Sequence, residues 1–161
     1  MRSYLLSWLT SKYAALPMDT FVRAQRADWL VWEAGPWRPP VRTGETLVAG
    51  GQPPIGGSST TGESLAIELA AKDGALSIGR GGGNDVLIDD ATLSRVHLLL
   101  DRGPDGTWRA RDAGSSNGTK VNGQRIGADP VALVDGSAIE AGAVRLTFYA
   151  AEGMWLRLRM R

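Results

Sequence analysis

The sequence has no cysteine and a single histidine among its 161 residues. The absence of cysteine excludes disulfides, thiolate metal sites and a cysteine nucleophile, and one histidine is too few for a histidine-rich metal site. Lys and Arg number 18 against 17 Asp and Glu, a formal net charge of +1, so the chain lacks the strong positive charge typical of nucleic-acid-binding proteins. We therefore expect no metal, no cofactor, no nucleic-acid partner and no enzymatic activity.

Long apolar runs are also missing. No stretch approaches the roughly 20 apolar residues that a membrane-spanning helix requires. The apolar run Tyr4–Leu9 is short, is interrupted by Ser7 and is not followed by a small-residue cleavage site, so it does not read as a signal peptide. We expect a cytoplasmic protein with no membrane partner.

Glycine and proline are plentiful, with 21 and 8 residues, which favours a β-rich fold with many turns. The N-terminal extension, residues 1–34, predicts a helix over 3–15, a second helix from an N-cap at Asp19 to about residue 28, and a strand at Trp29–Trp32. Residues 35–63 are rich in Pro, Gly and Ser and have the composition of a linker.

Residues 64–161 combine short apolar runs with turn residues such as Asn122-Gly123 and Asp135-Gly136. Many short strands joined by tight turns indicate an all-β antiparallel sandwich. No helical period is evident after residue 64. The candidate strands are Leu65–Ala70, Ala75–Ile78, Val86–Ile88, Val96–Leu100, Thr107–Arg111, Lys120–Val121, Ala138–Glu140, Arg145–Ala150 and Met154–Met160.

Polar clusters fall at the ends of these strands: Gly79-Arg80, Ser94-Arg95-Val96-His97, Asp112 to Thr119, and Val121-Asn122-Gly123. Binding residues concentrate in loops held by a rigid sheet. Arginine offers forked, charged donors, and Ser and Asn add short polar groups, a combination that suits the oxygens of a phosphate.

Two other chemistries fit these clusters less well. The glycines at 81–83 are not followed by the Lys-Ser/Thr pair of a P-loop, and a strand follows them where a phosphate-binding loop would lead into a helix. Ser94, His97 and Asp112 could form a hydrolase triad, but residues three apart on an extended chain point to opposite faces. A structural role for His97 is the better interpretation.

The ordered set of motifs resembles the signature of the forkhead-associated (FHA) domain family over residues of about 65–160. The resemblance implies a SMAD-like sandwich of about eleven antiparallel strands, whose loops bind an extended phosphothreonine peptide. The matching residues are Gly79-Arg80, Asn84-Asp85-Val86, Ile88, Ser94-Arg95-Val96-His97, Trp108, Asp112, Ser116-Asn117-Gly118-Thr119, Val121-Asn122-Gly123, Ile126, Leu133, Asp135-Gly136, Ile139 and Gly142.

The resemblance also implies roles for single residues. Arg80 would pair with the phosphate and Ser94 would donate a hydroxyl hydrogen bond to it. Arg95 would add a second charge, Ser116 would assist near the phosphate, and Asn117 would bond the peptide backbone. The residues implied to support the site structurally are Gly79, His97, Gly118, Asn122 and Gly123.

The implied function is that of an adaptor or regulator in bacterial Ser/Thr-kinase signalling, whose partner is a phosphothreonine protein such as a kinase or its substrate. The alternative is an FHA-like scaffold that binds without phosphate. Three roles remain open for residues 1–63: completing the fold, docking a second partner, or supplying Thr60 or Thr61 as a phosphoacceptor that folds back into the site.

Overall fold

The computed structural model describes residues 2–33, 63–70 and 75–160. Within these ranges the chain forms two β-sheets packed face to face, with three helices on the outer side of the larger sheet. The predicted linker and the candidate phosphoacceptors Thr60 and Thr61 lie outside the described residues. No helix in the described ranges is long and apolar enough to cross a membrane.

The predicted sandwich is confirmed. Twelve strands are present in the described residues, ten of them after residue 63 and two in the N-terminal extension. All neighbouring strands are antiparallel except β4 and β5. In chain order the strands are β1 (Ser3–Leu5), β2 (Asp28–Trp32), β3 (Leu65–Leu69), β4 (Leu76–Gly79), β5 (Val86–Leu87), β6 (Leu98–Arg102), β7 (Trp108–Asp112), β8 (Thr119–Val121), β9 (Gln124–Ile126), β10 (Val131–Ala132), β11 (Ala138–Ala141) and β12 (Val144–Tyr149).

The larger sheet has the order β1-β3-β2-β12-β11-β8-β9, and the smaller has the order β10-β7-β6-β4-β5. Side chains alternate along each strand. On β12, for example, Val144, Leu146 and Phe148 are buried between the sheets, whereas Arg145 is exposed. The main core lies between the two sheets.

The predicted strand at Trp29–Trp32 is confirmed as β2, and it occupies an interior position between β3 and β12. All four of these residues are buried because both faces of the strand are covered. Leu30 and Trp32 join the core between the sheets, while Trp29 and Val31 join a second core under the helices. The N-terminal extension therefore supplies part of the sandwich, although the predicted boundaries at 34 and 63 stay predictions.

The second core explains why the helices form where they do. The helices are α1 (Leu6–Tyr13), α2 (Met18–Ala24) and α3 (Ala151–Arg159). They bury Leu9, Phe21, Met154 and Leu158 against the outer face of the larger sheet. Apolar side chains on that face would otherwise be left in water, so covering them stabilises the fold.

Two predicted helices differ from the observed ones. The expected helix over 3–15 begins only at Leu6, because residues 3–5 pair with β3 as a strand. The second helix begins after Pro17, which has no N–H to leave unpaired and is well suited to a helix start. Asp19 lies in the first turn and pairs with Arg23 in place of capping the helix, which ends at Ala24.

The strand predicted at Met154–Met160 is wrong, as is the expectation that no helix follows residue 64. This segment is α3, and its buried residues Ala151, Met154 and Leu158 recur at three- and four-residue spacing. Trp155 Nε1 donates to Leu16 O at 2.8 Å, and Arg157 pairs with Glu33 at 3.0 Å. Contacts with the N-terminal segment thus favour the helix at a place where the local pattern resembles a short apolar strand.

Candidate functional site

Four loops meet at one end of the sandwich. They follow β4 (residues 80–85), precede β6 (88–97), join β7 to β8 (113–118) and join β11 to β12 (142–143). Hydrogen bonds connect each of these loops to another, as described below. The four loops bring together all five residues predicted to bind a ligand: Arg80, Ser94, Arg95, Ser116 and Asn117.

Arg80 is held by hydrogen bonds at its backbone N–H and its Nε, whereas the two terminal nitrogens of its guanidinium make none within the described residues. Its backbone N–H donates to Ser94 O at 3.0 Å, and its Nε donates to Leu93 O at 2.9 Å. The side chain is exposed, and its terminal nitrogens have no partner among the described residues. The guanidinium is therefore oriented by the neighbouring loop while its two outer nitrogens remain available to an anion.

Gly79 permits this arrangement because the two loops approach closely. A Cβ at Gly79 would be separated from Arg95 O by a distance of only 2.3 Å. Gly81 N donates to Arg95 O at 3.0 Å just beyond it. The side chain of Arg95 is exposed and has no partner among the described residues.

His97 is completely buried and joins two loops. Its Nδ1 accepts from the backbone N–H of Ser94 at 3.1 Å, and its Nε2 lies 2.9 Å from Gly118 O. Because Nδ1 accepts, we assign the proton to Nε2, which then donates to that carbonyl. The imidazole is occupied on both sides, which fits a structural role better than that of a general base.

The Ser94 hydroxyl faces the neighbouring loop, since its Oγ accepts from Ser116 N at 3.0 Å. A hydroxyl that accepts one bond still has its own proton to donate. Asn117 Nδ2 donates to Thr92 O at 2.7 Å, which leaves its Oδ1 open in an exposed position. These contacts place the Ser94, Ser116 and Asn117 side chains around the junction of two loops.

Asp112 organises the loop that carries Ser116 and Asn117, a role that the sequence did not identify. Its two oxygens accept from Gly114 N, Ser115 N, Ser115 Oγ and Thr119 Oγ1 at 2.6–2.9 Å. Burial raises the pKa of this carboxyl, but the hydrogen bonds from Ser115, Thr119 and Gly114 outweigh it, so the pKa is lower than usual. None of these bonds involves His97, so the hydrolase triad is not assembled.

Thr92 and Asn84 also hold the site together. Thr92 Oγ1 donates to Asp90 Oδ1 at 2.5 Å and accepts from Ala143 N at 2.8 Å, so its hydroxyl proton is already committed within the protein. Asn84 Nδ2 donates to Gly81 O at 2.7 Å and Arg95 O at 2.5 Å, and thereby joins the Arg80 and Arg95 loops. Asn and Asp residues between strands could have suggested such bracing, because they commonly bond to nearby backbone.

The remaining support residues lie in the turns expected of them. Gly118 has a φ of +79°, where a side chain would be strained. Asn122 and Gly123 have φ values of +51° and +81° and form the two-residue turn between β8 and β9, as in a type I′ hairpin. Across the described residues no group of three or more His, Asp or Glu side chains is arranged to hold a metal ion.

The two-sheet sandwich, with Arg80, Ser94 and Asn117 in loops at one end, defines the class of protein. Residues 76–142 match the family model of the FHA domain, as the sequence motifs predicted. This part of the chain is similar in sequence to FHA domains.

Part of the chain is also similar to curated proteins and to solved structures. It is 43% identical over 75 residues to an ABC transporter ATP-binding/permease protein of Mycobacterium tuberculosis, covering 47% of this chain and 8% of that protein. It is 38% identical over 72 residues to the glycogen accumulation regulator GarA of Mycolicibacterium smegmatis, covering 45% of this chain and 44% of GarA. The chain thus spans less than half the length of these relatives.

Among solved structures, the chain is similar to the FHA domain of a hypothetical protein from Arabidopsis thaliana. The TM-score is 0.54 with 26% sequence identity, over 77% of this chain and 85% of the other. This structural similarity therefore extends over more of the chain than the family model, which spans 67 of the 161 residues, or 42%.

Proposed function

We propose that this protein binds partners through a phosphothreonine and acts as an adaptor or regulator in Ser/Thr-kinase signalling. The observation that carries the proposal is the convergence of Arg80, Ser94 and Asn117 at the meeting point of the loops. Each has a polar group left free beside its internal bonds, and FHA domains as a family bind phosphothreonine.

The chemistry follows from the charge of the ligand. A phosphothreonine carries about −1.5 to −2 charges near neutral pH and three acceptor oxygens. In the proposal the outer nitrogens of Arg80 donate to two of these oxygens, and the Ser94 hydroxyl donates to the phosphate. Arg95 supplies a second positive charge, and Ser116 lies beside the phosphate through its bond to Ser94. Asn117 bonds the peptide backbone with its free amide oxygen.

Preorganisation supports this assignment. Arg80 is oriented by Leu93 O, and Ser94 is oriented by His97 and Ser116. Groups that are already held in place lose less entropy on binding than mobile ones. The residues proposed to contact the ligand are therefore backed by Gly79, His97 and Gly118, which do not contact it. Asn122 and Gly123 have a more distant supporting role in the proposal, as the turn that joins β8 to β9.

We further propose that binding, and not catalysis, is the activity of this chain. The buried His97 has both nitrogens occupied within the protein. The similar protein GarA is described as a regulator of glycogen accumulation. The proposed partner is a phosphothreonine protein, either a Ser/Thr kinase or a substrate of one.

The experiment is a titration of the full chain with matched threonine and phosphothreonine peptides, read by fluorescence anisotropy. We expect binding only to the phosphorylated member, and we expect Arg80→Ala to weaken it by 30-fold or more, since losing one partner of a desolvated charge pair costs on the order of 2–5 kcal/mol. Arg145→Ala is the control, because Arg145 is exposed on the outer sheet face and pairs with Glu140.

Equal affinity for both peptides would instead favour the scaffold that binds without phosphate. Retained affinity in Arg80→Ala, with phosphate dependence intact, would contradict the role given to Arg80. Thermal unfolding of each variant separates a binding defect from a folding defect.

A further inference from the structure

A third arginine lies beside the site, and the sequence motifs did not single it out. Arg125 is on the edge strand β9, and its side chain is exposed. Its guanidinium lies against Gly118, the residue directly after Asn117. A Cβ added at Gly118 would be 3.0 Å from Arg125 Nη2 and 3.1 Å from its Cζ.

Gly118 therefore has two consequences for this corner of the molecule. Its positive φ shapes the loop that presents Asn117, and its missing side chain lets the planar guanidinium of Arg125 lie across the backbone. The charged group is brought within one residue of the proposed peptide contact. A larger residue at 118 would displace it.

The electrostatic surroundings leave this charge without a counter-ion. Among the described residues Arg125 has no ion pair and no hydrogen-bond partner. Its direct cross-strand neighbour is Lys120, another exposed cation. Like charges directly opposite each other on paired strands are destabilising. Lys120 itself has Glu140 as its neighbour on the other side, so Arg125 is the outer, uncompensated member of the pair.

Arg145 shows the contrasting arrangement on the same sheet face. It pairs with Glu140 at 3.9 Å and lies on β12, two strands in from β8. Its charge is compensated within the chain. Arg125 is on the edge strand beside the 113–118 loop and has no such partner in the part of the chain that the structure describes, which is the arrangement expected of a group that binds an anion from another molecule.

We propose that Arg125, with Lys120 behind it, recognises a second negative group on the peptide, at one position flanking the phosphothreonine. The group is an oxyanion: the carboxylate of an acidic residue or a second phosphate. The planar fork of arginine matches both. This inference rests on the proposed phosphothreonine binding and adds to it a preference for acidic sequence.

The test is a positional scan with the full chain. Phosphothreonine peptides in an alanine background carry a single glutamate at each position from four before to four after the phosphothreonine, and their Kd values are measured for the wild type, Arg125→Gln and Arg145→Gln. We expect one position at which glutamate tightens binding by about 2- to 5-fold, the range expected of an exposed ion pair. Arg125→Gln should abolish that preference and leave the alanine-background peptide nearly unchanged, whereas Arg145→Gln should keep it.

Two further comparisons sharpen the result. Arg125→Lys should retain part of the preference for glutamate, because lysine keeps the positive charge but lacks the planar, two-pronged donor group of the guanidinium. Phosphoserine at the selected position should bind more tightly than glutamate if a second phosphate is the natural group, and no better if a carboxylate is.

Three results would overturn the proposal. One is a wild type that is indifferent to glutamate at every position. Another is an Arg125→Gln variant that weakens all peptides equally, which would show that Arg125 merely supports the loop. The third is an equal effect of Arg145→Gln, which would indicate a general charge effect. If no phosphothreonine peptide binds at all, the proposed function itself is wrong and this inference falls with it.

Discussion

Replacing Gly79 by alanine is expected to separate the two loops that hold Arg80 and Ser94. The added Cβ would lie 2.3 Å from Arg95 O, 2.8 Å from Arg95 C and 2.9 Å from Ser94 O. All three are backbone atoms, so no side chain can rotate away. An ordinary van der Waals contact begins near 3.4 Å. The loops must therefore move apart by about 1 Å, the kind of backbone shift that overpacking causes.

That movement weakens the bonds between the loops. Arg80 N donates to Ser94 O and Gly81 N donates to Arg95 O, each at 3.0 Å. A hydrogen bond contributes about 0.5–1.5 kcal/mol net, and forced overpacking costs about 1–3 kcal/mol. We expect Gly79→Ala to lower the free energy of unfolding by about 2–6 kcal/mol, more than the general preference of strands for alanine over glycine can offset.

The matched control is Gly83→Ala in the same loop, where nothing lies within 4 Å of the added Cβ. Urea denaturation of both variants measures stability, and phosphopeptide titration under native conditions measures affinity. Gly83→Ala should stay within about 0.5 kcal/mol of the wild type. The reasoning would be refuted if Gly79→Ala were as stable as the control and bound phosphopeptide equally well.

Two other predictions concern stability. The pKa of Asp112 is lower in the folded state than usual. Its ionised form therefore stabilises the fold above a carboxyl pKa of about 3.9, and this contribution is lost as the pH falls further. Asp112→Asn should be less stable than the wild type at pH 7 and should lose less stability on acidification, as measured by urea denaturation from pH 6 to pH 3. Parallel pH profiles of the wild type and the variant would contradict this. Leu158→Ala should lower the free energy of unfolding by about 2–5 kcal/mol, because Leu158 is buried in the core under the helices. Leu156 lies on the same helix but is 54% exposed, so Leu156→Ala should lower it by less than about 0.5 kcal/mol. Equal effects of the two substitutions would show that α3 is not packed on the sheet.

Much of the candidate site could be proposed from the sequence because its parts are local. Gly79-Arg80, Ser94 to His97 and Asn122-Gly123 are short motifs whose residue types suit one loop conformation or one ligand chemistry. The Asn-Gly pair, for example, adopts the positive φ values that a two-residue hairpin turn requires. Several short apolar runs separated by such turns were enough to indicate a sandwich.

The contacts that brace the site could not be anticipated in this way, since they join distant parts of the chain. Asn117 reaches Thr92 across 25 residues, and Ala143 N reaches the Thr92 hydroxyl across 51. The position of Arg125 beside Gly118 depends on the pairing of β8 with β9 and on the exposed edge of the sheet. A sequence pattern does not contain these distances.

The segments before and after the loops of the candidate site show most clearly what the sequence determined and what the tertiary structure decided. Trp29–Trp32 consists of two tryptophans, a leucine and a valine, and this composition alone predicted a strand. Its interior place in the larger sheet, and the choice of helix for residues 151–159, depended on the second core in which Phe21, Trp29 and Leu158 meet. Local composition determined which segments would be buried, whereas the partner available to cover each face decided whether a short apolar segment became a strand or a helix.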